Sequence, residues 1–402
     1  LLLGDRLHVG VDRQHELAAM LGGAVVLVGG ADRAAAVDEF GAKSAECVVM
    51  DPASGEIVAL ANFPTFSPQF LNESKPDMRV NRALVFPYEP GSTIKPFIVS
   101  RALDQKVSKL TDVYNLGGIR WKTPYGRTIT DVHGYGDLTL WDVLVKSSNI
   151  GMSQLVERMG NPQLHAGLTS FGFGKQTDID LPGEGRGILR PMRKWSRASP
   201  ESLAQGYEML VTPLQMARAM CAVANGGKLV TPRVVKGTLG EDGAEVAALN
   251  GGRPAMFASV VRDDTSAGIR RVLADIPIRG TATRGRSDVY NLFGKTGTAH
   301  RAVNGRYDTT HYTSSFVGGA PYESPRLVIA FVVHDPQKSK GHYGGIVAAP
   351  AASRILERSL RYLNVPPSPP LALPPAEIAS LLHQFNPKAY DKKATGIANA
   401  AE

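Results

Sequence analysis

The chain has 402 residues, room for two or three ordinary domains or one large one, and 43% of them are hydrophobic against 20% charged; it can bury a core, which excludes a mini-protein and a disordered polymer. Its 45 basic and 37 acidic residues leave a net charge of +8, spread without Lys/Arg runs, so duplex nucleic acid finds no electrostatic footprint while an acidic polymer or a membrane surface stays open. Cys47 and Cys221, each among apolar neighbours, are too few for a disulfide framework or a four-cysteine zinc site and read as core.

Residues 1–44 read as a partial lead-in. Ala31 to Phe40 looks helical, Gly22-Gly23 and Gly29-Gly30 interrupt any longer pattern, and the apolar run from Leu21 to Gly30 is too short to span a bilayer. The sequence opens at Leu1 without a signal pattern, which leaves room for an anchor or targeting segment upstream of it, and location cannot be read from it directly. From Glu46 two β runs, Cys47 to Met50 and Ile57 to Leu60, flank the turn Asp51-Pro52-Ala53-Ser54-Gly55 and predict a hairpin. Helices follow from Gly91 to about Leu103, from Thr139 to Lys146 with Thr139 and Asp142 spaced as a capping box, from Ile150 to Met159, and from Pro213 to Asn225, stopped by Gly226-Gly227.

After Tyr290 the period returns to two. Tyr290 to Ala299, Thr313 to Gly319 and Arg326 to His334 read as strands, with Asn304-Gly305 as the turn between the first pair. The order strands, helices, strands predicts an α/β (α+β) fold: an antiparallel sheet fed from both ends of the chain and flanked by helices, with an all-helical subdomain inserted between its halves. Pro366 to Pro370 reads as a stiff extended linker, followed by a short helix from Glu377 to Phe385 and disorder beyond Asn386. The domain organisation expected is a lead-in over 1–44, a body over 45–362 and a Pro-rich tail over 363–402.

Three short motifs carry chemistry. In Ser92-Thr93-Ile94-Lys95 a helix starting at Ser92 brings Lys95 back to the same face one turn on, so the amine can take the proton of an otherwise weak nucleophile, provided its surroundings favour the neutral amine. Ser-x-x-Lys also arises about once by chance in a chain of this length. Ser147-Ser148-Asn149 lies between two predicted helices; Asn149 suits a helix N-cap, while the same loop could present the Ser147 hydroxyl and the Asn149 amide for proton relay and substrate binding. Lys295-Thr296-Gly297-Thr298 sits on a strand, where Gly297 marks a close approach. Alternation puts Lys295 and Gly297 on one face and Thr296 and Thr298 on the other, so a twist or bulge is needed to bring cation and hydroxyl to one anionic ligand; an edge strand protected by a lysine is the plainer reading.

Together, in the order Ser92, Ser147, Lys295, these motifs are those of the penicillin-recognising serine acyltransferases. Met50 to Asn62, Asn81-Arg82-Ala83-Leu84, Tyr88 to Pro96, Gln205-Gly206-Tyr207, Val211 to Gln215, Ala224 to Gly227 and Tyr343-Gly344-Gly345 extend the likeness over about residues 45 to 360, and the chain resembles a class B penicillin-binding protein. Tyr88 to Ser92 and His334-Asp335-Pro336 are more similar to the cell-division (septal) branch. The resemblance implies a penicillin-binding/serine β-lactamase-like fold and a peptidoglycan D,D-transpeptidase in which Ser92 attacks a stem peptide, Lys95 takes its proton and Ser147 protonates the leaving D-alanine. It further implies Asn149 and Lys295 in the catalytic set, the Ser92 and Thr298 amides as oxyanion hole, and Lys295, Thr296, Gly297, Thr298, Tyr343 and Gly344 around the substrate. β-Lactams as covalent inhibitors, a glycan-polymerising membrane partner, cell-division proteins and an extracytoplasmic (periplasmic) location at the bacterial inner membrane follow from the same likeness, with no metal and no cofactor. A D,D-carboxypeptidase or serine β-lactamase of the same superfamily, and an inactive scaffold protein, are the rivals.

Overall fold

Asp51 reverses the chain by accepting the Ala53 amide at 2.8 Å while Gly55 takes φ +77°, and this turn joins β1 (Ser44–Met50) to β2 (Ile57–Phe63) as the sequence predicts. The computed structural model describes residues 16–21, 24–29, 36–66, 68–235, 238–239, 245–247, 258–303, 305–372 and 374–385. The expected helix from Ala31 to Phe40 is seen over 36–40, the rest of it lying outside the described residues, as does the chain beyond Asn386.

After the 3-10 turn Gly91–Ile94 comes α1 (Lys95–Asp104), then a long hairpin of β3 (Val113–Lys122) and β4 (Thr128–Thr139). This hairpin corrects the expectation of an all-helical insert. Its strands carry Gly117, Gly118, Gly134 and Gly136 and one wet face, so the apolar alternation that announces a strand is diluted. Four short helices follow, α2 (Leu140–Val145), α3 (Asn149–Met159), α4 (Asn161–Ser170) and α5 (Ser199–Ala204), then α6 (Pro213–Ala224), whose residues are buried except Arg218. Thr212 and Gln215 cap α6 reciprocally, and Pro213 occupies its first turn, where a missing amide costs nothing.

From α7 (Asp263–Arg279) the chain enters β5 (Phe293–Val303), β6 (Arg306–Ala320) and β7 (Leu327–His334). The sheet order is β5-β6-β7-β1-β2, antiparallel throughout, so strands from the two ends of the body meet where β7 pairs with β1. Every residue from Leu327 to Val333 is buried, which requires cover on both sheet faces; α6 and α8 (Ala349–Tyr362) pack on this region. β5 forms one edge of this sheet and β2 the other, and the turn Gly91–Ile94 lies beside β5.

Two expected details change. Asp142 does not close a capping box with Thr139, although Thr139 accepts its amide; its carboxylate takes Arg279 at 2.6 Å, in a buried cluster where Trp141 and Arg271 bond to Asp275. The Pro-rich stretch is extended but not a free linker. Ser368 donates its amide to Val289 O and accepts that of Asn291, Ala372 O accepts from Arg271, and Leu371 and, in α9 (Ala376–Phe385), Leu382 are buried.

The turn preceding α1 is locked by a glycine crossing. Gly206, at φ +79°, passes so close to Gly91 that an added methyl would lie 2.1 Å from Gly91 O. Gly206→Ala is therefore expected to lose at least about 2 kcal/mol of unfolding free energy, combining left-handed backbone strain with a backbone clash. Urea denaturation measures this, and a variant as stable as its parent contradicts the locked crossing.

Candidate active site

From Gly91 to Ser100 only Ser92 is accessible, and it faces a cleft of about 1040 Å3. The chain reaches this point through a two-way backbone pair between Tyr88 and Val211, both bonds at 2.9 Å, and through the Gly91 amide donating to Gly206 O at 3.2 Å. Lys95 begins the α-helix proper, and Pro96 in its first turn removes an amide that would have no intrahelical partner there.

Lys95 is 0% exposed, and its ammonium nitrogen points across the cleft floor into the loop between α2 and α3. It donates to Ser147 O and Asn149 Oδ1, both at 2.8 Å, and to Ser147 Oγ and Ser148 O, both at 3.4 Å. No hydrogen bond joins it to Ser92 Oγ among the described residues. Burial pushes its pKa down to about 7, against the opposing field of Asp131.

That loop corrects the reading of Asn149 as helix cap. Ser148 is the N-cap of α3: its backbone is extended and its Oγ accepts the Gly151 amide at 2.9 Å while donating to Asp131 Oδ2 at 2.6 Å. The Asn149 amide group is thereby free to face Lys95, with its Nδ2 donating to Thr130 O at 3.1 Å. Ser147 sits at φ +62°, a left-handed conformation uncommon for serine that this geometry holds in place.

On β5 the alternation read from the sequence holds. Thr296 and Thr298 line the cleft, whereas Lys295 lies beneath the strand, fully buried, with Nζ donating to Thr296 O at 3.1 Å. No bulge interrupts 295–298; the register shift falls at His300/Arg301. Burial lowers the Lys295 pKa well below the lysine range, and repulsion from Lys95 lowers it further. At Gly297 a side chain would meet Pro90 O at 2.7 Å, so glycine lets the edge strand lie against the turn that carries Ser92.

Thr298 Oγ1 accepts the Gly344 amide at 3.0 Å, which leaves its own proton for a ligand, and Thr296 Oγ1 shares a hydrogen bond with Thr281 Oγ1 at 2.5 Å. The His300 amide donates outward to Tyr207 OH at 3.3 Å; by ladder alternation the Thr298 amide points off the same free edge. Gly344 is buried against Gly297, while Tyr343, 47% exposed, reaches the cleft mouth stacked on His342.

Sequence reasoning missed Asp131. It is buried on β4, and besides Ser148 Oγ it accepts the amides of Asn149 and Ile150, so one carboxylate holds the whole turn. The available signal was an acid on the same inward phase as buried Ile129. Tyr207, Tyr307 and Tyr312, which line the cleft opposite this loop, were also missed.

Residues 45–357 match the family described as the penicillin binding protein transpeptidase domain. The chain belongs to that family. It is 37% identical over 333 residues to the probable peptidoglycan D,D-transpeptidase PbpC of Pseudomonas aeruginosa, covering 83% of this chain and 56% of that protein. It is 32% identical over 331 residues to peptidoglycan D,D-transpeptidase FtsI of Escherichia coli, covering 81% and 53%. The chain thus spans about half the length of these curated relatives. Among solved structures, the apo transpeptidase domain of Burkholderia pseudomallei penicillin-binding protein 3 superposes with a TM-score of 0.73 at 33% identity, covering 85% of this chain and 94% of that one. Penicillin-binding protein 3 of Mycobacterium tuberculosis, complexed with aztreonam, gives 0.78 at 31% identity, covering 86% and 79%. The mixed helix and antiparallel sheet read from the sequence is the fold of these domains.

Two outcomes are expected of this cleft. If neutral Lys95 accepts the Ser92 proton, acylation by a fluorescent penicillin falls about tenfold per pH unit below about 7 and levels off above it; a flat profile between pH 5 and 8 contradicts this. Asp131→Asn is expected to slow acylation by roughly tenfold to hundredfold by loosening the turn. Because Asp131 raises the Lys95 pKa, the same variant should also move the midpoint of the profile to lower pH, a shift that mere loosening would not produce.

Proposed function

We propose that the chain is a serine D,D-transpeptidase that cross-links peptidoglycan stem peptides through an acyl-enzyme on Ser92. The observation that carries this is the buried Lys95 amine, depressed to about 7 and held by Ser147 and Asn149, one helical turn beyond a serine open to the cleft.

Ser92 Oγ attacks the carbonyl between the two terminal D-alanines as its proton passes to Lys95 Nζ, a movement of the amine from the Ser147 loop toward Ser92. The negative oxygen that forms is received by the Ser92 and Thr298 amides, the first orphaned at a helical start and the second on a free strand edge; one such donor is worth roughly 2.7 to 4 kcal/mol of transition-state stabilisation. Ser147 hands a proton to the departing D-alanine nitrogen and takes the one held by Lys95 in its place, the C–N bond breaks and an ester remains. An amine of a neighbouring stem then attacks the ester, its proton passing by way of Lys95 to Ser92 Oγ as the ester C–O bond breaks, leaving a new amide bond and free Ser92. Thr298 and Thr296 hydroxyls meet the terminal carboxylate, with Lys295 acting from beneath the strand, and Asn149, Tyr343 and the backbone near Gly297 and Gly344 frame the peptide. A β-lactam follows the first half only: its ring C–N bond opens, but the leaving nitrogen stays tethered and blocks the acceptor.

The likeness to peptidoglycan D,D-transpeptidase FtsI and the motifs shared with the septal branch support a role in septal wall synthesis, on the periplasmic face of the inner membrane, beside a glycan-polymerising partner and cell-division proteins. Intact-mass measurement after penicillin exposure should show one stable penicilloyl adduct on the parent and none on Ser92→Ala. An unmodified parent contradicts the enzyme, and rapid multiple turnover of the β-lactam contradicts transfer in favour of hydrolysis.

A further inference from the structure

The excess of positive charge looks dispersed along the sequence, but folding concentrates part of it beside the cleft. Residues 119–130, at the tip of the β3–β4 hairpin, and residues 186–198, the loop before α5, together hold eight Lys and Arg side chains and not one acid. The two segments are clasped together: Arg127 donates to Ala198 O at 2.6 Å and Ser202 Oγ at 3.1 Å, and the Arg197 guanidinium lies over the Tyr125 ring at 4.8 Å.

The acids that face this rim come from neighbouring elements and are mostly engaged. Glu201 is buried and accepts from Tyr125 OH at 2.7 Å, with Arg127 at 3.9 Å; Glu208 takes Arg190; Glu157 of α3 is exposed. Arg120, Lys122, Arg193, Lys194 and Arg197 are all exposed, and among the described residues none of them is in an ion pair. The contacts of Arg127 and Arg197 hold the two acid-free segments side by side, so their solvated cations repel one another, a cost that a polyanion seated there removes. The rim is also continuous with the cleft wall, which Arg127 and Ser202 themselves line.

We propose that this rim is an accessory subsite for a polyanionic, un-cross-linked glycan strand, engaging the carboxylates of stems adjacent to the one held at Ser92. The proposal rests on the transpeptidase reading above. Each unused stem ends in a carboxylate, so a strand presents repeated anions at intervals, whereas a single stem presents too few to span cleft and rim together. The cations act by long-range attraction and weak pairing at an exposed surface, favouring capture of the polymer without altering the acyl-transfer step.

The test uses the full chain with Ser92 first blocked by penicillin, so that binding reports the rim and not the cleft. Soluble un-cross-linked strands are expected to bind R120E/R193E/K194E about tenfold more weakly than the parent, and the parent's own affinity should fall as salt rises from about 50 to 200 mM. A monomeric disaccharide-pentapeptide should not discriminate between the two proteins, and the penicillin acylation rates of the two should agree within about twofold, showing an intact fold and site. Equal strand binding overturns the subsite. So does a variant that loses binding to phosphatidylglycerol vesicles while keeping strands, which would make the rim a lipid surface. Failure of the parent to be acylated at all would strike at the transpeptidase reading instead; strand binding by the unblocked parent that the triple variant loses would still support the subsite, and equal binding would still overturn it.

Discussion

A lysine amine removed from water governs this structure. Taking an ammonium from bulk solvent into a closed site is so unfavourable that a protein either gives it a carboxylate or lets it lose its proton. Here Lys95 receives neutral oxygens instead, two carbonyls, a hydroxyl and an amide, and a second buried amine, Lys295, lies close enough to be repelled by it. Neutral acceptors steady a lysine without fixing its proton, so the surroundings keep an amine that can take a proton and give it back. The sharp start of α1, the left-handed Ser147 and the glycine that lets β5 close over the turn all serve to bury that one nitrogen while keeping Ser92 open.

What could be read from the sequence divides along the range of the interactions involved. Ser92 and Lys95 are three residues apart, and helix geometry alone brings them to one face. The hairpin turn at Asp51 to Gly55, the helix start at Pro213 and the two faces of Lys295 to Thr298 are likewise decided within a few residues, and each was found as expected. The assignment of the helix cap failed for the opposite reason. Ser148 and Asn149 are both good caps, and the choice between them is made by Lys95, more than fifty residues upstream, which needs the Asn149 oxygen. The β3–β4 hairpin went unread because its glycines and wet face erase the pattern, and Asp131 went with it. The Pro-rich segment reads as a linker because proline stiffens an isolated chain; that it is fixed along the body depends on Arg271 and Asn291, remote in sequence.

The same distinction explains why charge patterning misleads here. Alternating basic and apolar residues over 119–130 and 186–198 look unexceptional when each is taken alone. Their joint field exists because contacts remote in sequence, Arg127 with Ala198 and Ser202 and Arg197 over Tyr125, bring the two segments together. A surface potential is a property of the fold, and only the net charge is a property of the sequence.

In the proposed mechanism Lys95 is the base, and the position of Asp131 shows how finely such a base has to be set. A carboxylate in direct contact with Lys95 would hold the amine protonated and end its use as an acceptor; with no negative charge nearby, desolvation alone would lower the amine further and weaken it as a base. The structure takes an intermediate course. Asp131 turns its oxygens to the Ser148 hydroxyl and to the amides of Asn149 and Ile150, so that it grips the loop that grips the lysine, and reaches the amine only through its field. One side chain thus sets both the geometry of the acceptor oxygens and the strength of the base they surround, and a substitution there cannot change one without disturbing the other.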